Sequence, residues 1–142
     1  MSSRNIILLT VLVVIAVVIV IFIAYANLKG NVQLRLNTYV VSPGEELTLT
    51  IINRSWRTIY FGQYYEIHRF TDDNWEQVPL PDKVWEDILY SLRPMRKFKQ
   101  TITAPSEPGL YRIIKEVGSP IQIKEGTEKV ITVEFTVSNN GA

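Results

Sequence analysis

The sequence predicts an all-β domain, an antiparallel β-sandwich of seven to nine strands, preceded by one N-terminal transmembrane helix. The helix is indicated by residues 6–26, which contain no charge, proline or glycine. The sandwich is indicated by short runs of alternating apolar and polar residues between turn-forming residues, a pattern typical of half-buried strands. About 116 residues follow the apolar segment, enough for one domain and too few for two.

Residues 6–26 match the hydrocarbon thickness of a membrane, because 21 residues rising about 1.5 Å each give roughly 31 Å. Three interpretations remain open: an uncleaved anchor, a signal peptide cleaved after Ala26, and a pilin-like helix that packs in a filament core. Ala24-Tyr25-Ala26 fits a small-x-small cleavage site. The apolar core is longer than the 7–15 residues usual in signal peptides, and Tyr25 suits a membrane interface, so the anchor is favoured.

The charge and cysteine content excludes several classes of function. Arg4 is the only charged side chain before Lys29, so 14 cationic and 14 anionic residues remain beyond it. A neutral domain has no electrostatic footprint for nucleic acid. The absence of cysteine excludes disulfides, Cys-ligated zinc and lipidation of a cysteine. The sequence also has no glycine-rich phosphate loop, and we expect no cofactor.

The predicted sandwich occupies residues 31–138, between a short linker at 27–30 and a frayed tail at 139–142; residues 1–5 are an N-terminal tail. The linker spans at most about 13 Å. Strands are predicted at residues 31–40, 46–52, 57–61, 65–70, 75–78, 85–92, 98–102, 111–117 and 130–137, and the connection at 118–128 has room for a further short strand at 121–123. The inward faces are predicted to carry Val32, Leu34, Leu36, Val40, Leu47, Leu49, Ile51, Ile131, Val133, Phe135 and Val137. Tyr111, Ile113, Lys115 and Val117 share one face of the penultimate strand.

The order of several short motifs between residues 40 and 137 resembles the bacterial Ig-like domains of membrane-anchored and secreted proteins. The motifs are Leu47-Thr48-Leu49-Thr50-Ile51-Ile52-Asn53, Ile59-Tyr60-Phe61-Gly62, Tyr65-Glu66-Ile67, Trp75-Glu76-Gln77-Val78, Trp85-Glu86-Asp87-Ile88-Leu89-Tyr90, Pro108-Gly109-Leu110-Tyr111-Arg112-Ile113 and Val133-Glu134-Phe135-Thr136-Val137. The resemblance implies an Ig-like sandwich in a prokaryotic envelope without a catalytic role, and it implies no ligand or site residue.

Two places in the motif order need separate interpretation. Where the family usually has a proline-glycine-acid turn, this chain has Arg93-Pro94-Met95-Arg96-Lys97. Tyr111 follows Pro108-Gly109-Leu110, as does the tyrosine of a tyrosine corner, whose hydroxyl bonds to backbone a few residues upstream. A plain core tyrosine remains the alternative.

The sequence offers no convincing catalytic or metal-binding constellation. His68 is the only histidine, lies within a predicted strand, and is interpreted as structural or solvated. Asp72-Asp73-Asn74 lacks the alternate spacing of a calcium loop and is interpreted as a hairpin turn. Asn53-Arg54-Ser55 is either a glycosylation sequon or the end of a strand. We therefore expect no enzyme, no catalytic residue and no metal site.

Aromatic side chains are concentrated in one part of the chain and suggest a contact surface. Nine of the 15 aromatic residues lie between Trp56 and Tyr90. Exposed aromatics suit stacking on sugars or contact with another protein. Because they flank loops, Tyr64, Tyr65 and Trp85 are the candidates for such a contact.

The basic turn at residues 93–97 suggests contact with a membrane surface. Successive strands of an antiparallel sandwich alternate in direction, and this count places residues 53–56, 71–74 and 93–97 near the membrane. It places residues 43–44, 62–64 and 79–83 at the far end. Arg93, Arg96 and Lys97 are thus the candidates for anionic headgroup contacts.

These observations predict a single-pass protein with an extracytoplasmic, non-catalytic module that binds another envelope protein, in an accessory or adhesion role. It would be secreted if cleaved after Ala26. The alternatives are a cell-wall or carbohydrate-binding module and a pilin-like filament subunit.

Overall fold

The computed structural model describes residues 3–28, 32–80, 83–118 and 129–140. Within these residues the chain forms one helix and ten strands. Their bounds are α1 (Ser3–Leu28), β1 (Val32–Leu36), β2 (Val40–Val41), β3 (Glu46–Asn53), β4 (Ile59–Phe61), β5 (Glu66–Thr71), β6 (Asn74–Gln77), β7 (Tyr90–Leu92), β8 (Lys97–Thr103), β9 (Gly109–Val117) and β10 (Lys129–Val137). The predicted strand at residues 121–123 lies outside the described residues.

The helix α1 is apolar on every side. Its segment Ser3–Ile23 has a mean hydropathy of 3.8 and none of it is buried inside the protein. A helix that is apolar all round requires an apolar environment. Its length and composition meet the requirements of a membrane-spanning helix, and a signal sequence meets the same requirements.

The strands form two main sheets, consistent with an Ig-like β-sandwich. One sheet has the order β1-β3-β8, the second has the order β2-β10-β9-β5-β6, and β4 pairs with β7 in a small third sheet. All pairs are antiparallel except β2 with β10. Alternation places one face of each main sheet inside, as the sequence predicts. The inward residues include Leu47, Leu49, Ile51, Ile67, Ile102, Tyr111, Ile113, Lys115, Phe135 and Val137, each at most 2% exposed.

The first predicted strand is in fact two strands that belong to different sheets. Asn37 ends the pairing of β1 with β3, because its side-chain Oδ1 accepts the N–H of Thr48 at 2.8 Å. The chain then crosses to β10, and the alternation shifts by one residue. Val41 is 1% exposed and Val40 is 42% exposed, so the prediction that Val40 faces the core is wrong.

The predicted strand at residues 85–92 is confirmed only at its end. Residues 83–89 have no regular secondary structure, and β7 covers Tyr90–Leu92 alone. Ile88 and Leu89 are exposed, at 40% and 70%. The alternating pattern here lacks a neighbouring strand on which to pair, and alternation alone does not supply the ladder hydrogen bonds of a sheet.

Two of the predicted reversals of chain direction, at residues 62–64 and 79–83, are wrong. The two errors cancel, so the predicted direction of the later strands is unaffected. Tyr60 pairs with Gly118 and Glu66 with Ile114, so β4 and β5 follow one another in the same direction along β9. Residues 62–64 are therefore a bulge. Because β6 is antiparallel to β5 and β7 is antiparallel to β4, β6 and β7 also run in the same direction. The reversal predicted at residues 79–83, of which 81 and 82 lie outside the described residues, does not fit these directions. Residues 71–74 consequently lie at the far end of the sandwich, contrary to the prediction.

The turn at residues 93–97 nevertheless lies at the predicted end. The N–H of Met95 donates to the carbonyl of Asn53 at 2.7 Å, and Asn53 pairs with Val32. Val32 is the fourth residue after the end of α1. We call this end of the sandwich the anchor end, and the opposite end, where Gly109 pairs with Val137, the far end.

Candidate functional site

A buried lysine fixes the bulge between β4 and β5. Six residue steps separate Tyr60 from Glu66, whereas four separate their partners Gly118 and Ile114, so the bulge adds two residues. Its carbonyls point to Lys115, whose Nζ donates to Gly62 O at 2.7 Å, Tyr64 O at 2.8 Å and Gln63 O at 3.2 Å. A fourth acceptor is Oε1 of Gln100, at 3.2 Å.

The environment of Lys115 makes it structural. The residue is 1% exposed, and burial lowers the pKa of its ammonium group from 10.5 to about 8. A lysine with a lowered pKa is a typical catalytic base or nucleophile. Here, however, the donors of the ammonium group are directed at four neutral oxygens, and the lysine secures an irregular segment of backbone.

A cleft lies in the far half of the sandwich, beside the bulge. Its volume is about 650 Å³, and it opens between β6 and β8, each of which is the outermost described strand of its sheet. Its lining combines apolar surface with charges of both signs. The lining residues are Tyr65, Arg69, Thr71, Glu76, Gln77, Val78, Pro79, Leu80, Lys83, Thr103, Ala104, Pro105, Ser106, Glu107 and Tyr111.

A tyrosine corner forms one wall of the cleft, which decides between the two interpretations of Tyr111. Its hydroxyl donates to the carbonyl of Glu107 at 2.7 Å, and burial raises the pKa of this hydroxyl. Arg69 is ion-paired with Glu107, and its Nη2 donates to the carbonyl of Pro108 at 2.9 Å. A Cβ at Gly109 would lie 3.1 Å from Nε of Arg69, so glycine lets this loop approach β5 closely.

The three predicted aromatic contact residues are brought together beside the cleft. Trp85 lies 4.8 Å from Tyr65 and 5.2 Å from Tyr64, ring centre to ring centre, with interplanar angles of 83° and 71°. Nζ of Lys83 lies 5.6 Å from the Trp85 ring centre. Tyr64 is 46% exposed, whereas Tyr65 is buried and lines the cleft. The rings meet edge to face, so they do not form the coplanar row that stacks on a sugar chain.

The polar groups singled out from the sequence have structural partners. Nε2 of His68 lies 2.8 Å from Glu66 Oε2, and its Nδ1 lies 3.5 Å from Nη2 of Arg112. Asp72 and Asp73 have φ angles of 50° and 64°, as a tight hairpin turn requires. Within the described residues, no group of three or more His, Cys, Asp or Glu side chains is placed to hold a metal ion.

Asn53 is a buried hub and not an accessible glycosylation site. It is 0% exposed, and its Nδ2 donates to Arg57 O at 2.8 Å and Leu92 O at 2.9 Å. Its Oδ1 accepts hydrogen bonds from the N–H and hydroxyl of Ser55, at 3.0 and 2.6 Å. The Ser55 of the apparent sequon thus serves to anchor the loop after β3.

The predicted basic residues are solvent-exposed at the anchor end. Arg93, Arg96 and Lys97 are exposed, and Met95 between them is 66% exposed. Trp56, which was not among the predicted contact residues, lies in the loop held by Asn53 and is 55% exposed. The strand count places residues 53–56 at this end, and the hydrogen bonds of Asn53 to both loops confirm it.

The chain resembles known proteins in sequence and in fold. A family model described as a bacterial Ig-like domain matches residues 28–140. A CARDB domain from Pyrococcus furiosus, solved with di-metal ions, is 16% identical, covers 75% of this chain and 90% of its own, with a TM-score of 0.40. PapD-like domain 7 of human CEP192 is 15% identical, covers 78% and 84%, with a TM-score of 0.42. The sporulation control protein Spo0M of Bacillus subtilis is 15% identical, covers 75% and 47%, with a TM-score of 0.39. A comparison with curated proteins gives no match.

Proposed function

We propose, from the premise that this chain belongs to the bacterial Ig-like domain family, that it is a membrane-anchored, extracytoplasmic module that binds another protein of the cell envelope. Such a domain fits a non-catalytic role. The observation that carries the proposal is the cleft of about 650 Å³ in the far half of the sandwich, away from the end where the chain joins α1.

The anchor is supported by the length and composition of α1. The helix has 26 residues, which at about 1.5 Å each give roughly 39 Å, enough to cross a hydrocarbon core of about 30 Å. It continues past Ala24-Tyr25-Ala26 to Leu28 without interruption. Because only a short linker joins α1 to the domain, an anchor of this kind holds the domain close to the lipid surface. In this proposal the domain lies on the outer side of the membrane.

The cleft suits an extended segment of a partner protein. β6 and β8 are outermost described strands on either side of it, and a strand edge offers backbone N–H and C=O groups to an added segment. Leu80 and Val78 provide apolar contact, while Arg69 and Glu107 offer charges of opposite sign. The edge-to-face cluster of Tyr64, Tyr65 and Trp85 supplies the aromatic contact that is common at protein interfaces.

Site-specific crosslinking in the source organism tests this proposal. A photoreactive phenylalanine analogue replaces Leu80 in the cleft, and a control places it at Thr132, an exposed residue on the outer face of β10. We expect one discrete protein adduct from position 80 and none from position 132. Ser106→Trp, which fills the cleft from an exposed loop, should abolish that adduct, whereas Thr101→Trp on β8 should not.

Two results would contradict the proposal. Equal adducts from positions 80 and 132 would mean that the cleft has no special role. An adduct with a cell-wall glycan in place of a protein would support the carbohydrate-binding alternative.

A further inference from the structure

Two loops at the anchor end form one continuous surface of unusual composition. The loops are residues 54–57 and 93–97, and we call them together the anchor-end surface. Five of their nine residues are cationic, namely Arg54, Arg57, Arg93, Arg96 and Lys97, and neither loop contains Asp or Glu. This concentration stands out because the chain beyond residue 28 has 14 residues of each charge.

Buried Asn53 is hydrogen-bonded to both loops and fixes their positions relative to one another. Its side chain donates to Arg57 O in the first loop and to Leu92 O at the start of the second, at 2.8 and 2.9 Å. Its backbone N–H donates to Arg96 O at 3.0 Å, and its carbonyl accepts from Met95 N–H at 2.7 Å. The two loops are therefore held side by side by the hydrogen bonds of one buried residue, and their side chains form a single surface.

Each loop presents one large apolar side chain to the outside. Trp56 is 55% exposed and Met95 is 66% exposed. Met95 has a φ of 62° at the third position of a turn closed by Arg96 N–H to Arg93 O at 3.2 Å. Glycine is the residue that such a turn favours, because a side chain crowds the backbone when φ is positive. Among the described residues, Met95 belongs to neither hydrophobic core cluster, so core packing does not account for an exposed methionine at this strained position.

The chain keeps this surface close to the membrane that α1 is proposed to cross. Val32 pairs with Asn53 and is four residue steps beyond Leu28, a span of at most about 14 Å. Tryptophan is enriched at membrane interfaces, and Lys and Arg are attracted to anionic headgroups within a Debye length of about 8–10 Å.

We infer that the anchor-end surface is a second membrane contact, in which Trp56 and Met95 enter the headgroup region and the five cations bind anionic lipid. The inference rests on the proposed anchor. Its consequence is orientation: a domain held at two places, by α1 and by this surface, points its cleft away from the lipid toward a partner.

Tryptophan quenching in the full chain tests the inference. The chain is reconstituted into vesicles of brominated phosphatidylglycerol, and emission is compared with that in the same lipid without bromine. We expect quenching in wild type and loss of most of it in Trp56→Phe. Trp75→Phe is the matched control, since Trp75 pairs with Phe70 toward the far end, and it should leave the quenching unchanged.

Charge and salt test the lipid chemistry separately. The Arg93→Glu, Arg96→Glu, Lys97→Glu triple variant, high salt, and brominated phosphatidylcholine should each reduce the Trp56-dependent quenching. Met95→Gly, which suits the positive φ and keeps the turn, should reduce it as well. Should the triple variant fail to fold, the salt series and Met95→Gly carry the same test.

The failure of this inference is distinguishable from failure of the anchor. A chain that alkaline carbonate removes from the vesicles contradicts the anchor itself. A chain that stays in the vesicles but whose quenching is the same in wild type and Trp56→Phe contradicts the membrane contact alone. Quenching that the triple variant, salt and neutral lipid leave unchanged contradicts the role of anionic headgroups.

Discussion

Replacing buried Lys115 by methionine should both destabilise the domain and change how its stability depends on pH. Methionine retains the apolar stem but leaves the carbonyls of Gly62, Gln63 and Tyr64 without their donor. A hydrogen bond to a charged group contributes about 1.5–3 kcal/mol, and Lys115 donates to all three of these part-buried carbonyls, so we expect a loss of several kcal/mol near neutral pH. The loss should exceed that of an ordinary surface change because three charge-assisted hydrogen bonds are removed together.

The pH dependence follows from the lowered pKa of Lys115, which is about 8 in the folded domain against 10.5 unfolded. Between these values the unfolded chain binds more protons than the folded one, so wild-type stability should rise with pH, by about 2 kcal/mol from pH 7.5 to 9.5. Lys115→Met should lack this rise. The buried hydroxyls of Tyr65 and Tyr111 have raised pKa values, which lowers stability only when pH passes the unfolded value near 10.

Urea unfolding of a fragment from residue 30 to 142, followed by tryptophan fluorescence, measures both effects. The difference in unfolding free energy between wild type and Lys115→Met should widen as pH rises from about 7.5 to 9.5. A difference that stays constant across this range would refute the shifted titration of Lys115. A variant as stable as wild type would refute the role of the lysine in holding the bulge.

Four further outcomes are expected. The fragment from residue 30 to 142 should be soluble, monomeric and rich in β-structure, because the sandwich supplies its own core; a helical circular dichroism spectrum would refute this. Phe135→Ala should lower the unfolding free energy by about 3–5 kcal/mol, since Phe135 is 2% exposed, whereas exposed Thr136→Ala should cost under about 0.5 kcal/mol. Asn53→Ala should cost several kcal/mol, because its buried side chain makes four hydrogen bonds, and a near-neutral change would contradict the hub. Met95→Gly should raise the midpoint of urea unfolding by relieving about 1 kcal/mol of left-handed strain at φ 62°, and a lowered midpoint would show that the side chain packs.

The parts of the fold that depend on local alternation could be predicted from the sequence. Leu47, Leu49 and Ile51 face the core as expected. Lys115 shares a face with Tyr111, Ile113 and Val117, as the alternation predicts, and the structure shows that this face is the buried one. The predictions of inward and outward faces fail where one residue shifts the alternation. Asn37 ends β1 by a hydrogen bond to Thr48, eleven positions away, and the face of Val40 changes with it.

The candidate sites depend on contacts that local patterns do not contain. The backbone acceptors of Lys115 lie 51 to 53 positions earlier in the chain. They belong to a bulge for which the sequence pattern predicts an ordinary turn. Trp56 joins the basic turn through Asn53, whose bond to Leu92 spans 39 positions. The strand count predicts the correct end for the basic turn only because its two errors of strand direction, at residues 62–64 and 79–83, cancel. The predicted path of the chain between them is wrong.

We propose that the domain stays attached to a membrane through α1, and mass spectrometry of the protein recovered from fractionated cells tests this attachment. We expect a chain in the carbonate-washed membrane fraction whose mass includes residues 1–26. A chain recovered in the soluble or secreted fraction with a mass that lacks those residues would contradict it.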